Sequence, residues 1–277
     1  MTPPVSEVAV VAHRGIVCGF PENTVAACRE AVSQGFAAIE VDLRATSDGH
    51  IVVMHDGSVD RTTNGSGAVD QLTLAEIRSL DAGAHAGAMF AGELVPTLEE
   101  VFDCLHGSGT KLLLDLKSSP LLDSERVTWL IARHSADLDV ILGPRSLHEL
   151  RDYKRLNPNL QTLALVPGEE FAPADQDVIE QFVGAGADIV RLWPPWIFAD
   201  RDQADRDQDA GARRSPLIER LHQVGTPVWT TADVMYRDIN PDAPAEDLAE
   251  LGRLAVDGII TDVPELLRQV LAARRSP

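Results

Sequence analysis

Eight short apolar runs alternate with longer segments of helical periodicity, and this alternation constrains the fold of the 277-residue chain more than any other feature. It is typical of a parallel sheet covered by helices. Eight strand-helix units in a chain of this length predict a TIM (β/α)8 barrel. A doubly wound open sheet is the alternative, but no glycine-rich dinucleotide motif or P-loop follows any of the runs. The predicted strands are 8–12, 38–43, 111–116, 139–142, 161–166, 188–192, 227–231 and 258–261.

A ninth apolar run, 51–55, follows the second strand too closely for a crossover helix, so we predict that it returns as a β-hairpin. The pair Asp48-Gly49 favours a two-residue type I′ turn. A turn of that length sets Asp42 directly opposite His55, and directly opposed residues share one face of the sheet. The hairpin therefore predicts that a carboxylate and an imidazole meet.

Local signals mark helix boundaries and one segment without periodicity. Thr97 and Glu100 have capping-box spacing, and Pro264 after Asp262 is typical of the first turn of a helix. Residues 198–214 consist almost entirely of Asp, Gln, Arg and Ala. We predict that this segment is a solvated loop, with a lid over the functional site as the alternative.

The charge of the chain argues against several classes of partner. It carries 24 Lys and Arg against 43 Asp and Glu, a formal charge of −19, which disfavours nucleic acid and anionic lipid. No run approaches the roughly 20 apolar residues of a membrane span. The three cysteines lack CxxC spacing, and the first residues lack the basic region of a secretory signal. We therefore expect a cytoplasmic protein without stable membrane insertion, and an anionic substrate would need a locally cationic site.

Titratable side chains gather at the C-terminal ends of three predicted strands and of the hairpin. TIM-barrel active sites are built at that end of the barrel. Each residue alone is also compatible with a structural role as a cap or ion pair, but their convergence on one barrel mouth favours a functional site. The set is His13, Arg14, Glu40, Asp42, His55, Asp115 and Lys117.

Three of these residues are carboxylates, Glu40, Asp42 and Asp115, and three carboxylates do not ionise together unless a cation holds them. Oxygen ligands suit a hard ion, so we predict one divalent cation, Mg²⁺ or Ca²⁺. The ion, with the cationic side chains, would hold a small-molecule phosphodiester. The two histidines, with ordinary pKa values near 6.5, could share the acid and base work of its cleavage.

The order and spacing of several motifs resemble the glycerophosphodiester phosphodiesterase family, one of the phospholipase C-like phosphodiesterase TIM barrels, over nearly the whole chain. The motifs are His13-Arg14-Gly15, Pro21-Glu22-Asn23-Thr24, Glu40-x-Asp42, Val53-x-His55-Asp56, Arg61-Thr62-Thr63-Asn64-Gly65-x-Gly67, Pro96-Thr97-Leu98-Glu99-Glu100, Val228-Trp229-Thr230 and Gly258-Ile259-Ile260-Thr261-Asp262.

The resemblance implies one domain over residues 1–277, with a small insertion at about 57–94, that hydrolyses glycerophosphodiesters to an alcohol and glycerol 3-phosphate with a metal ion. His13 and His55 match the acid-base pair of the family. The resemblance leaves open which histidine is the base, and we expect His13 to activate or make the attack and His55 to protonate the leaving oxygen. The other matched positions are the metal ligands Glu40 and Asp42, the phosphate-binding Arg14 and Lys117, and the pocket-lining Trp229.

Two positions depart from the family pattern. Asp115-x-Lys117 stands where the family usually has Glu-x-Lys, and Ala232 stands where it often has Asn. Asp-x-Lys resembles the related sphingomyelinase D and phospholipase D toxins, which act on lysophospholipids or sphingophospholipids and leave a cyclic phosphate. A lyase of that kind is the alternative function.

Two tryptophans, Trp193 and Trp196, follow a predicted strand and would lie near the mouth of the barrel. We expect them to pack as buried aromatic side chains. The alternative is a cation-π wall for a choline-like group.

Overall fold

Eight parallel strands form a barrel at the centre of the computed structural model, and a ninth strand is added antiparallel to them. The structure describes residues 8–117, 119, 121–134, 137–166, 175–199, 215–232 and 244–273. Most of the charged segment predicted at 198–214 thus lies outside the described residues. In chain order, β1 to β9 span Ala9–Ala12, Ala38–Ala45, Ile51–Val53, Lys111–Leu116, Val140–Gly143, Gln161–Leu165, Ile189–Leu192, Val228–Ala232 and Gly258–Thr261.

The barrel closes because β1 pairs with both β2 and β9. The order around it is β1-β9-β8-β7-β6-β5-β4-β2, and every one of these pairings is parallel. Each predicted strand overlaps an observed strand, with ends that differ by at most two residues. The predicted TIM barrel is confirmed, and its C-terminal rim is where the side chains at the strand ends meet.

Helices follow the strands around the outside of the barrel. The Thr97 hydroxyl accepts from the Glu100 amide, and the Glu100 carboxylate accepts from the Thr97 amide, which confirms the predicted capping box. No described helix is both long and apolar enough to cross a bilayer. In chain order, α1 to α10 span Val25–Ser33, Leu74–Ile77, Leu98–Leu105, Ser124–His134, Leu147–Leu156, Gln176–Gly184, Pro194–Ala199, Pro216–Gln223, Pro244–Leu251 and Pro264–Ala273.

The barrel interior is filled by buried side chains from its strands, including Leu113, Leu163, Trp229 and Ile260. Trp229 is the largest of them, and it is accommodated by a glycine on the neighbouring strand. A Cβ atom at Gly258 would lie 2.8 Å from the Trp229 indole, closer than side-chain atoms pack. Glycine at position 258 is therefore required by the bulk of its neighbour.

The predicted hairpin exists, but its predicted register is wrong by one residue. Strands β2 and β3 pair Leu43 with Val53, and Gly49 has a φ of +79°. The turn therefore has three residues, ending in a left-handed glycine, because the Thr46 amide pairs with the His50 carbonyl. Asp42 consequently faces Met54, whose amide donates to the Asp42 carbonyl at 2.9 Å.

Residues 57–94 lie between β3 and α3 and contain α2 and two short 3-10 helices, Val69–Gln71 and Ala88–Phe90. They pack around a separate apolar cluster that also includes Val52 and Met54 from the hairpin. This packing anchors the segment that immediately follows His55 against the side of the barrel.

Candidate active site

A pocket opens at the C-terminal rim of the barrel, and the predicted titratable residues converge on it. Six of the seven line the pocket, and the seventh, Asp42, is fully buried beside them. Among the described residues, the lining consists of His13, Arg14, Glu40, His55, Leu113, Asp115, Lys117, Arg145, Leu165, Arg191, Trp193, Thr231 and Ile260.

Three buried carboxylates lie together on one side of the pocket. Glu40, Asp42 and Asp115 each offer an oxygen within 4.8 Å of the other two. They converge because β2 and β4 pair Asp42 with Asp115 in register, and Glu40 lies two positions before Asp42 on the same strand face. The Lys117 Nζ lies 2.7 Å from both Asp42 Oδ1 and Asp115 Oδ2.

Asn23 fixes the orientation of Asp42. Its amide nitrogen donates to Asp42 Oδ2 at 2.7 Å, and its amide oxygen accepts from the Asp42 backbone amide at 3.1 Å. Asn23 has a φ of 57°, a left-handed conformation that asparagine tolerates better than most residues. Asparagine suits this position of the motif Pro21-Glu22-Asn23-Thr24 for two reasons: its side-chain amide both donates to and accepts from Asp42, and its backbone adopts a positive φ at low cost.

His13 is held by a carboxylate from the adjacent strand end. Its Nδ1 donates to Asp262 Oδ1 at 2.8 Å, and its Nε2 lies 3.8 Å from Glu40 Oε2. Burial lowers the pKa of His13, but the hydrogen bond to Asp262 and the charges of Glu40 and Asp262 outweigh it and raise the pKa to about 9. The Asp262 carboxylate therefore favours the protonated form of His13.

His55 lies at the start of a chain of ion pairs. Its Nδ1 donates to Asp56 Oδ1 at 2.7 Å, Arg61 bridges Asp56 and Glu22, and Glu22 accepts from Arg14 at 3.0 Å. Burial lowers the pKa of His55 despite the opposing charge of Asp42. The predicted direct opposition to Asp42 is wrong, and His55 reaches the pocket because β3 ends at Val53 and the chain leaves the ladder.

Comparison with known proteins agrees with this arrangement. The model of the glycerophosphoryl diester phosphodiesterase family matches residues 13–266. The chain belongs to this family. A glycerophosphodiester phosphodiesterase of Caldanaerobacter subterraneus is 34% identical over 264 residues, which cover 93% of this chain and 95% of that one.

Solved structures of similar proteins share the fold. The glycerophosphodiester phosphodiesterase of Agrobacterium tumefaciens is 26% identical with a TM-score of 0.72, covering 96% of this chain and all of that one. A phosphodiesterase of Oleispira antarctica, solved in complex with the product sn-glycerol 3-phosphate, is 24% identical with a TM-score of 0.75. The match covers 95% of this chain and 96% of that one. The expectations of family, TIM-barrel fold and phosphodiester hydrolase are confirmed.

The tryptophans of this family member occupy different environments. Trp229 is not among the described pocket-lining residues, because the pocket-lining position on β8 is Thr231, two residues further along the same strand face. Trp196 is buried in the outer core, as expected of a packing residue. Trp193 lines the pocket. The role of Trp229 implied by the resemblance stays a prediction.

Sequence reasoning missed Asp262, Arg145 and Arg191 as parts of the site. In the sequence Asp262 marks the start of a helix and ends a motif that resembles the family, with no role in the site assigned to it, whereas the parallel register of Ala12 with Thr261 places it beside His13. Arg145 lies just after β5 and Arg191 lies on β7, and neither belongs to a motif that resembles the family. The signal for Asp262 was present in the sequence, but it depended on a pairing between opposite ends of the chain.

Asp262 provides a direct test of the electrostatics around His13. In Asp262→Asn, we expect the His13 pKa to fall by about one unit or more, because the carboxylate that stabilises the imidazolium is gone. Titration of metal-stripped protein by proton-nitrogen NMR measures the shift. Asp139→Asn, at a position where the side chain is 77% exposed, is the matched control and should leave the pKa of His13 unchanged. An unchanged His13 titration in Asp262→Asn would contradict the role of Asp262.

Proposed function

We propose that this protein hydrolyses glycerophosphodiesters to an alcohol and glycerol 3-phosphate in a reaction that requires one divalent cation. The observation that carries the proposal is the convergence of two carboxylate-held histidines and three buried carboxylates on one pocket. Family membership and the activity of the similar Caldanaerobacter enzyme support the same reaction. The chain would act as one catalytic domain, with residues 57–94 as an insertion.

The acidic cluster fits a hard cation. Burial and the charge of Asp42 raise the pKa of Glu40 well above its usual range, so the charged form of Glu40 lacks a sufficient cationic partner. Glu40, Asp42 and Asp115 offer only oxygen atoms, which suits Mg²⁺ or Ca²⁺. When bound, the ion would polarise the phosphoryl group and stabilise the charge that develops on its oxygens.

Arg14 and Lys117 line the pocket beside the carboxylates and are the proposed phosphate-binding residues. The Arg14 guanidinium donates to Glu22, and its Nε lies 3.4 Å from Asp42 Oδ2, so its orientation is set before substrate binds. Orientation of a guanidinium in advance reduces the entropy lost when it binds a phosphate oxygen. The two residues would hold the phosphorus atom between the two histidines.

The opposite pKa shifts of the histidines support an assignment of roles. The lowered pKa of His55 favours the neutral form, which can take the proton of the attacking oxygen, whereas the raised pKa of His13 favours the protonated form, which can donate to the alcohol oxygen as its bond to phosphorus breaks. In both rings Nδ1 is bound to a carboxylate, so Nε2 is the proton-transfer atom. We therefore propose the reverse of the order expected from the sequence.

The test is the release of glycerol 3-phosphate from glycerophosphoglycerol in ¹⁸O-labelled water by metal-stripped protein, with Mg²⁺ or Ca²⁺ restored. We expect release only with the ion, and label in the phosphate of the product. Unlabelled cyclic phosphate would instead support the lyase suggested by Asp115-x-Lys117. Equal release with and without the ion would contradict the metal requirement.

We also propose that the reaction takes place in the cytoplasm. The sequence supports this location, because Cys18, Cys28 and Cys104 are odd in number and lack the spacing of a disulfide framework or a zinc ribbon.

A further inference from the structure

The two halves of the pocket lining differ in chemistry. Strands β1, β2 and β4, together with the segment after β3, contribute the histidines and carboxylates of the proposed reaction. The half that follows β5 to β8 contributes two guanidinium groups and, among the described residues, no carboxylate. The lining residues of that second half are Arg145, Leu165, Arg191, Trp193 and Thr231.

Arg191 and Trp193 form a stacked pair in this second half. Arg191 is only 4% exposed, and its guanidinium carbon lies 3.7 Å from the centroid of the Trp193 ring. The face of Trp193 under the guanidinium is therefore closed to a cationic headgroup, and the adjacent positive charge repels one. This geometry argues against the choline-binding wall that the tryptophans suggested in the sequence.

Arg145 adds a second cation at the rim. Its Nε donates to Asp115 Oδ1 at 2.9 Å and its Nη2 to Asp115 Oδ2 at 2.5 Å, a bidentate pair that fixes the guanidinium plane. With Arg14, Lys117 and Arg191 it gives the described part of the pocket four permanent cations against the three carboxylates of Glu40, Asp42 and Asp115, on a chain whose formal charge is −19. Such a local reversal of charge attracts an anionic ligand.

We propose that the half of the pocket that follows β5 to β8 binds an anionic group, a carboxylate or a phosphate, on the alcohol that leaves. The inference rests on the proposed hydrolysis of glycerophosphodiesters and names the substrate class of the same site. In this proposal the reacting phosphate would lie in the half that holds the histidines and carboxylates, and the alcohol would extend toward Arg191 and Arg145. An acidic alcohol is then favoured over a neutral one, and a neutral one over choline.

The test compares kcat/KM of the metal-loaded protein for four diesters of glycerol 3-phosphate that differ only in the alcohol: glycerol phosphate, glycerate, glycerol and choline. We expect at least one of the two anionic substrates to exceed the glycerol diester by about tenfold or more, and the choline diester to be the poorest. The better anionic substrate identifies the group that is bound. A choline diester that equals or exceeds both anionic substrates would overturn the proposal.

Arg191→Gln tests which side chain selects the anion. We expect the ratio of anionic to neutral kcat/KM to fall by about tenfold, and Arg191→Lys to retain part of that ratio, because it keeps the charge but loses the planar guanidinium. Arg155→Gln, at a position 65% exposed, is the matched control for which the ratio should not change. An unchanged ratio in Arg191→Gln overturns the proposal. If Arg191→Gln does not fold, the order of the wild-type kcat/KM values for the four diesters decides whether the proposal holds. Failure of the wild type to hydrolyse any of the four diesters contradicts the proposed function instead.

Discussion

His55→Ala is expected to lower kcat/KM for glycerophosphodiesters by about 10²- to 10⁴-fold, the usual effect of removing a general base. The variant should lose this activity whatever the alcohol, because no neutral imidazole takes the proton of the attacking oxygen. Steady-state release of glycerol 3-phosphate measures the loss. His148→Ala is the matched control, since its imidazole is 86% exposed and lies outside the pocket lining.

His13→Ala separates the two roles. For a diester of an ordinary alcohol, kcat/KM of His13→Ala should fall as far as that of His55→Ala. For a diester of 4-nitrophenol, a leaving group that departs without protonation, most of the activity of His13→Ala should return. If instead His55→Ala recovers with the nitrophenyl diester and His13→Ala does not, the assignment of acid and base is reversed. The nitrophenyl diester therefore tests the roles that the pKa shifts support.

Asp42→Asn is the second substitution with a large expected effect. The change keeps the shape of the side chain but removes one charge from the proposed ligand set, so we expect ion affinity and kcat/KM each to fall by about 10²-fold or more. Binding of Mg²⁺ or Ca²⁺ to stripped protein should raise the Tm of the wild type, because a ligand that binds the folded state stabilises it. The ion should not raise the Tm of Asp42→Asn, whereas it should raise the Tm of Asp139→Asn as it does that of the wild type. An Asp42→Asn protein that shows the wild-type rise in Tm would contradict the ligand role.

The sequence was sufficient to predict the barrel because its signals are local. Lys111–Leu116 and Gly258–Thr261 are apolar runs whose observed ends are those predicted, and a strand buried on both faces needs only such a run. The grouping of His13, Glu40 and Asp115 was likewise predictable, because a closed parallel barrel brings all strand ends to one rim.

The hairpin shows where a local signal was insufficient. Asp48-Gly49 is compatible with a two-residue or a three-residue turn, and one residue of difference moves every later pairing by one. The Thr46 hydroxyl accepts from the His50 amide and donates to Asp48, which stabilises the longer turn. Met54 instead of His55 therefore lies opposite Asp42.

The architecture, the acidic cluster and the two histidines could be predicted from the sequence, since they depend on short local patterns and on the closure of the barrel, which brings the ends of β2 and β4 to one rim. The partners that shift the pKa values of those groups are visible only in the folded structure. Asp262 reaches His13 across 249 positions, and Arg145 reaches Asp115 across 30. Charges interact through space and not along the chain, so the pKa of His13 and the cationic half of the pocket emerge only when distant strand ends meet.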